Sequence, residues 1–222
     1  LKQLCCIKAD LALFILPCLL AGFCGPVLAQ NSARDQLLAF STGMSTLSAA
    51  FEQRVIGSDG AVQDESGGKV WLSQPHYFRW EYGGDFPEIV VADGLQIWIY
   101  DEVLQQVTIK PQSDLTTDSP LSLLTDIGKL DEQFEVREAG DIDGMVLLEL
   151  RAKKEQAEFD RVLIGLQANE LRFMAMEDAF GLRTEIRFSN VQRNVELDHG
   201  IFVFSPPEGV DIIGEAGAET SN

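Results

Sequence analysis

Between Thr46 and Ser189 the chain alternates apolar and polar residues with a period of two, and this constrains the fold more than any other feature. In Thr46–Ile56, Leu47, Ala49, Phe51 and Val55 fall on one side while Glu52 and Arg54 fall on the other. Successive strand side chains point to opposite faces, so such a run buries one face of a sheet and wets the other. The pattern returns in Lys69–Ser73, Tyr77–Tyr82, Glu88–Ala92, Gln96–Tyr100 and Leu104–Lys110. It resumes in Gln133–Glu138, Met145–Arg151, Glu158–Ile164, Glu170–Met176 and Leu182–Ser189. Asp59-Gly60, Gly67-Gly68, Asp93-Gly94 and Asp101-Glu102 read as turns, at hairpin spacings. About eleven antiparallel strands must curl into a barrel or fold as a sandwich to hide their apolar faces.

Two short helices interrupt the strands. Ala33–Ser41 carries Leu37, Leu38 and Phe40 on its apolar side. Ser119–Ile127 follows Asp118, has Pro120 in its first turn, and places Leu121, Leu123 and Leu124 at helical spacing. A sheet of this size can enclose more volume than its own side chains fill. The helices then either complete an ordinary core or lid the mouth of a hollow. The candidate lining is Phe51, Leu72, Phe78, Trp80, Val91, Trp98 or Tyr100, Leu147, Phe173 and Met176; the candidate lid residues are Leu37, Leu38, Pro120, Leu121, Leu123 and Leu124. Ile164 shares the inward phase. Phe202-Val203-Phe204 is a further apolar element, and 214–222 reads as a frayed tail.

Residues 1–29 read as an address. Lys2 and Lys8 precede the apolar run from Leu11 to Leu20, and Gly22, Gly25 and Pro26 lead to Val27-Leu28-Ala29. A basic start, a short apolar centre and small residues before a cut describe a secretory signal peptide, cleaved after Ala29; the alternative is an uncleaved anchor. Cys5, Cys6, Cys18 and Cys24 all lie in this segment, which leaves the expected mature domain, 30–213, without disulfide or thiol chemistry. Phe23 stands before Cys24, where bacterial lipid attachment calls for a small residue.

The 17 Lys and Arg against 35 Asp and Glu give a formal net charge of −18. Such a chain is repelled by nucleic-acid phosphates and by anionic membrane surfaces. His76 and His199 both sit in turn sequences, without a second histidine or a cysteine at ligand spacing. No Gly-x-Ser-x-Gly elbow and no phosphate-cradling glycine loop occurs. Asp141-Ile142-Asp143-Gly144 lacks the later ligands of a calcium loop and reads as a hairpin turn. No enzymatic activity, metal or cofactor is expected. Apolar capacity behind an acidic exterior suits a container for greasy material.

Phe51-Glu52-Gln53, the stretch from Trp71 to Trp80, the stretch from Val91 to Tyr100, Ser119-Pro120-Leu121-Ser122-Leu123-Leu124 and the closing run from Phe202 to Val210 together resemble the outer-membrane lipoprotein carrier family, LolA. The resemblance implies an incomplete antiparallel barrel with helices closing a hydrophobic cavity. It also implies a monomeric periplasmic chaperone. That chaperone would take acylated lipoproteins from an inner-membrane ATP-binding-cassette transporter and pass them to an outer-membrane receptor. Alternatives are the receptor of the same fold, a lipid-modifying enzyme, or a small-molecule binder of lipocalin type. Family members usually carry a basic residue before the proline at Pro75, which helps latch the lid. Here that residue is Gln74, so either Arg79 supplies the cation or the latch is neutral.

Overall fold

The computed structural model describes residues 32–112, 130–153, 157 and 159–214. The expected signal segment, the expected helix Ser119–Ile127 with Pro120, Leu121, Leu123 and Leu124, and the tail after Gly214 lie outside the described residues. A helix α1 (Ala33–Ser41) leads into strands β1 (Thr46–Ile56), β2 (Val62–Ser73), β3 (Tyr77–Tyr82), β4 (Glu88–Asp93), β5 (Gln96–Asp101) and β6 (Gln106–Pro111). A four-residue helix α2 (Leu130–Gln133) then precedes β7 (Phe134–Ile142), β8 (Met145–Ala152), β9 (Arg161–Gln167), β10 (Glu170–Glu177) and β11 (Arg183–Arg193). A 3-10 helix (His199–Phe202) and β12 (Asp211–Ile213) close the fold.

All twelve strands share one sheet in the order β12-β6-β5-β4-β3-β2-β1-β11-β10-β9-β8-β7. Neighbours run antiparallel except β12, which lies parallel to β6. The sheet is open, with β7 and β12 at its ends. The twelfth strand escaped the sequence reading because three exposed residues are too few to alternate visibly; only pairing with β6 makes Asp211–Ile213 a strand. Asp143 and Gly144 both take positive φ (53° and 79°), the conformation of a two-residue hairpin turn, between the paired Ile142 and Met145.

Gly67-Gly68, expected as a turn, lies inside β2. A Cβ on Gly68 would stand 1.8 Å from the Glu81 carbonyl oxygen and 3.2 Å from Cε1 of Phe51. The glycine clears space for the Phe51 ring and the neighbouring backbone, a use of glycine within strands.

Alternation divides the sheet into two faces. On the inner face, Leu47, Phe51, Leu72, Trp80, Leu148, Ile164, Met174, Met176, Ile186 and Phe188 join one buried cluster. Trp80 on β3 meets Phe188 on β11 with ring centroids 6.4 Å apart, although the strands are three positions apart in the sheet. At about 4.8 Å per strand spacing, so short a distance marks the sheet as curled around this face.

Helix α1 roofs the β8–β10 end of the inner face, burying Ala33, Leu37 and Phe40. Its N-terminus is held twice: the Ser32 hydroxyl accepts from the Asp35 N–H, and Glu138 of β7 accepts from the N–H groups of Ala33 (2.9 Å) and Arg34 (3.1 Å). At the other end Arg193 donates to the carbonyls of Ala39 and Phe40 and lies over the Phe40 ring. An anion at the start and a cation at the end both complement the helix dipole.

The outer face of β3–β6 has its own cover. Phe204 packs against Trp98 and Tyr100 with centroids 5.9 and 5.8 Å apart, and Val210 adds to the same cluster. The chain from His199 to Ile213 thus forms a strap across the outside of the sheet.

Candidate functional site

The inner face is the candidate binding surface, and the strands bring together only part of the expected lining there. Phe51, Leu72, Phe78, Trp80 and Met176 all point inward, joined by Leu37 from α1. Val91, Trp98 and Tyr100 do not. Register places Val91 and Trp98 beside Arg79, and Tyr100 beside Ile89 and Val107, all on the outer face beneath the strap. Leu147 and Phe173 are also outward, flanking Gly165, with the Arg187 guanidinium over the Phe173 ring.

The errors have local causes. Val146-Leu147-Leu148 is apolar throughout, so alternation cannot fix its phase. In β10 a register shift between Leu171 and Phe173 reverses the phase, sending Met174 and Met176 inward in place of Phe173. Of the lid residues, Leu37 is buried but Leu38 is 58% exposed and takes no part in the helix's packing. Arg79 is not an inner-face cation: its Nε donates to Glu81 (2.5 Å) and its Nη1 to the Ile201 carbonyl of the strap (3.1 Å). Gln74 opens the β2–β3 turn through a cis Gln74–Pro75 peptide and donates its backbone N–H to the Ser45 carbonyl.

Phe188, Met174, Leu148, Leu150 and Leu166 also face inward, beyond the lining expected from sequence. Their signal was the same alternation, readable once β11 is known to sit beside β1, where Phe188 faces Phe51.

At one rim the apolar face runs into a polar groove of about 660 Å³ lined by Gln53, Asp64, Tyr82, Phe86, Glu88 and Asp101, among others. Tyr82 bridges the two surfaces. Its ring meets Phe51 edge-on at 5.2 Å, while its hydroxyl donates to Oε1 of Gln53 at 3.2 Å. Burial, with the nearby Glu88 carboxylate, pushes the Tyr82 hydroxyl up to about 12. Burial and then the charge of Asp101 raise the Glu88 carboxyl above its ordinary value. Phe86 stands 76% exposed beside them. Sequence reading missed this groove because its residues come from five strands, β1 to β5, and the loop between β3 and β4.

His199 packs edge-on against Tyr77, with centroids 4.8 Å apart, and His76 sits in the β2–β3 turn. Among the described residues, no group of three or more His, Cys, Asp or Glu side chains is placed to hold a metal.

Fold and face together define an open half-barrel whose curled sheet shelters a broad apolar surface. The family model described as "Outer membrane lipoprotein carrier protein LolA" matches residues 42–205. An outer-membrane lipoprotein carrier protein of Dechloromonas aromatica (strain RCB) is 39% identical over 190 residues, covering 86% of this chain and 91% of its own length. Another, from Methylococcus capsulatus, is 36% identical and covers 90% and 95%. An uncharacterized conserved protein from Thermus thermophilus shares the fold with a TM-score of 0.52 at 14% identity, covering 82% of this chain and 96% of its own. The chain belongs to the LolA family of outer-membrane lipoprotein carrier proteins.

Proposed function

We propose that this protein is a periplasmic lipoprotein carrier, which accepts acylated lipoproteins released by an ATP-driven transporter of the inner membrane and delivers them to a receptor at the outer membrane. The observation that carries the reading is the inner apolar face, rich in aromatic rings, within a chain 36–39% identical to proteins named for this activity. An N-terminal segment with the pattern of a signal peptide supports export to the periplasm.

The physical task is competitive burial. Removing a methylene from water contributes about 0.8 kcal/mol, so a long acyl chain left in water is unfavourable by roughly 10 kcal/mol. A carrier has to offset most of that penalty without exceeding what a membrane offers. A curled open sheet suits the balance: it shields an apolar face yet leaves an edge through which chains can leave.

The test incubates inner-membrane vesicles with ATP and the purified protein, then follows lipoproteins by immunoblot in the supernatant. Lipoproteins are expected in the soluble fraction, co-purifying with the carrier, and depleted from it when outer-membrane vesicles are added. Lipoproteins that stay in the pellet at every carrier concentration would refute the reading.

A further inference from the structure

Acyl chains of a lipoprotein and of a phospholipid are chemically alike, so an apolar face cannot tell them apart. Only the polar group to which the chains are joined differs. Discrimination therefore belongs where the apolar face meets polar surface, and the Tyr82 rim is such a place.

Three observations converge there. The Trp80 ring packs against Phe51 with centroids 4.6 Å apart and planes tilted by 47°, and is only 5% exposed, yet its indole Nε1 has no hydrogen-bond partner. It leans toward the Tyr82 hydroxyl without reaching hydrogen-bond geometry. A buried donor without an acceptor is unfavourable, and a carbonyl at the head of an acyl chain would supply one. Tyr82 spends its proton on Gln53, so its oxygen still has a free lone pair. Beyond Tyr82 the groove is lined by Asp64, Glu65, Asp85, Glu88 and Asp101 and, among the described residues, by no cation; of these, Glu65 is paired with Arg54 (2.8 Å).

We infer that this groove selects cargo by headgroup: an acylated N-terminus donates its amide N–H to the Tyr82 oxygen, rests its carbonyls at the Trp80 indole N–H and the Gln53 side-chain amide, and sends its polypeptide out through the groove, while the carboxylates turn away anionic phospholipid. The inference rests on the carrier reading and adds a specificity determinant to it. A phosphate entering the groove would bring negative charge to a place where Glu88 already resists ionisation beside Asp101. An uncharged diacylglyceryl-cysteine head meets no such barrier.

The experiment uses the purified protein, loaded separately with a fluorescent triacylated cysteine peptide of zero net charge and with fluorescent phosphatidylglycerol, and measures the bound fraction after gel filtration. The protein is expected to hold the lipopeptide and exclude the phospholipid. The triple variant Asp85→Asn, Glu88→Gln, Asp101→Asn should raise phosphatidylglycerol retention about tenfold and leave lipopeptide retention unchanged. Tyr82→Phe should weaken lipopeptide retention alone. Raising salt to screen the groove should reproduce the triple variant's effect on the unaltered protein, which keeps the test valid if that variant folds poorly. A lipopeptide-to-phospholipid ratio that neither the folded triple variant nor salt alters would overturn the inference while leaving the carrier reading intact. A protein that retains neither lipid would overturn both.

Discussion

Arg79→Met separates two roles that the position could serve. Arg79 lies between the inward Phe78 and Trp80, so strand alternation sends it to the outer face. Its side chain is 18% exposed and donates to Glu81 and to the Ile201 carbonyl. Methionine keeps most of the stem and removes both bonds. A hydrogen bond from a charged donor contributes roughly 1.5–3 kcal/mol. The pair with Glu81 is partly solvated and adds little. The hollow of about 340 Å³ beside Ile201 would admit water to the freed carbonyl and so favours the low end of that range. About 1.5 kcal/mol corresponds to roughly tenfold more frequent opening of the strap. Hydrogen–deuterium exchange read by mass spectrometry should show faster exchange near 200–205 and 211–213, with α1 and β9 unchanged. Unaltered exchange in the strap, combined with altered lipopeptide retention, would refute the anchoring role and restore the inner-face latch.

Two further perturbations probe the scaffold. Phe40→Ala should lower stability by about 3–5 kcal/mol, since the ring is fully buried beneath α1; urea unfolding followed by far-ultraviolet circular dichroism measures it, and a loss below about 1 kcal/mol would mean that α1 is not part of the core. Asp93→Asn tests pH linkage. Burial of the Asp93 carboxyl opposes ionisation, but hydrogen bonds from Trp98 Nε1 (2.8 Å) and from the N–H groups of Gln96 and Leu95 outweigh it and hold its pKa below the usual carboxylate value. A group with a depressed folded pKa stabilises the fold above its unfolded pKa and loses that contribution as pH falls through the folded value. The melting-temperature gap between the native protein and Asp93→Asn should therefore be full at neutral pH and shrink on acidification below the ordinary aspartate range. A gap that widens toward acid would contradict the assignment.

The open sheet accounts for the division of labour between the two faces. A closed barrel has no exposed strand edge, whereas this sheet ends at β7 and β12, which suits the proposed passage of cargo along a side. The strap from His199 to Ile213 covers apolar outer surface that would otherwise compete with the inner face for lipid.

Local sequence determined most of the strands, with β12 and the first half of β2 as exceptions, because a period of two needs no partner to be legible: α1, β1 and β3 have the boundaries read from the residues alone. It determined equally that every thiol of the chain lies within residues 1–29, since that follows from residue types. Tertiary structure decided which side of each strand faces inward. Alternation fixes relative phase only, and a continuous apolar run, as at Leu147, or a bulge, as before Phe173, leaves the sign open until register against a neighbour is known. It also decided the rim groove, whose Gln53, Tyr82, Glu88 and Asp101 are separated along the chain and become one surface only because β1 through β5 pair in order.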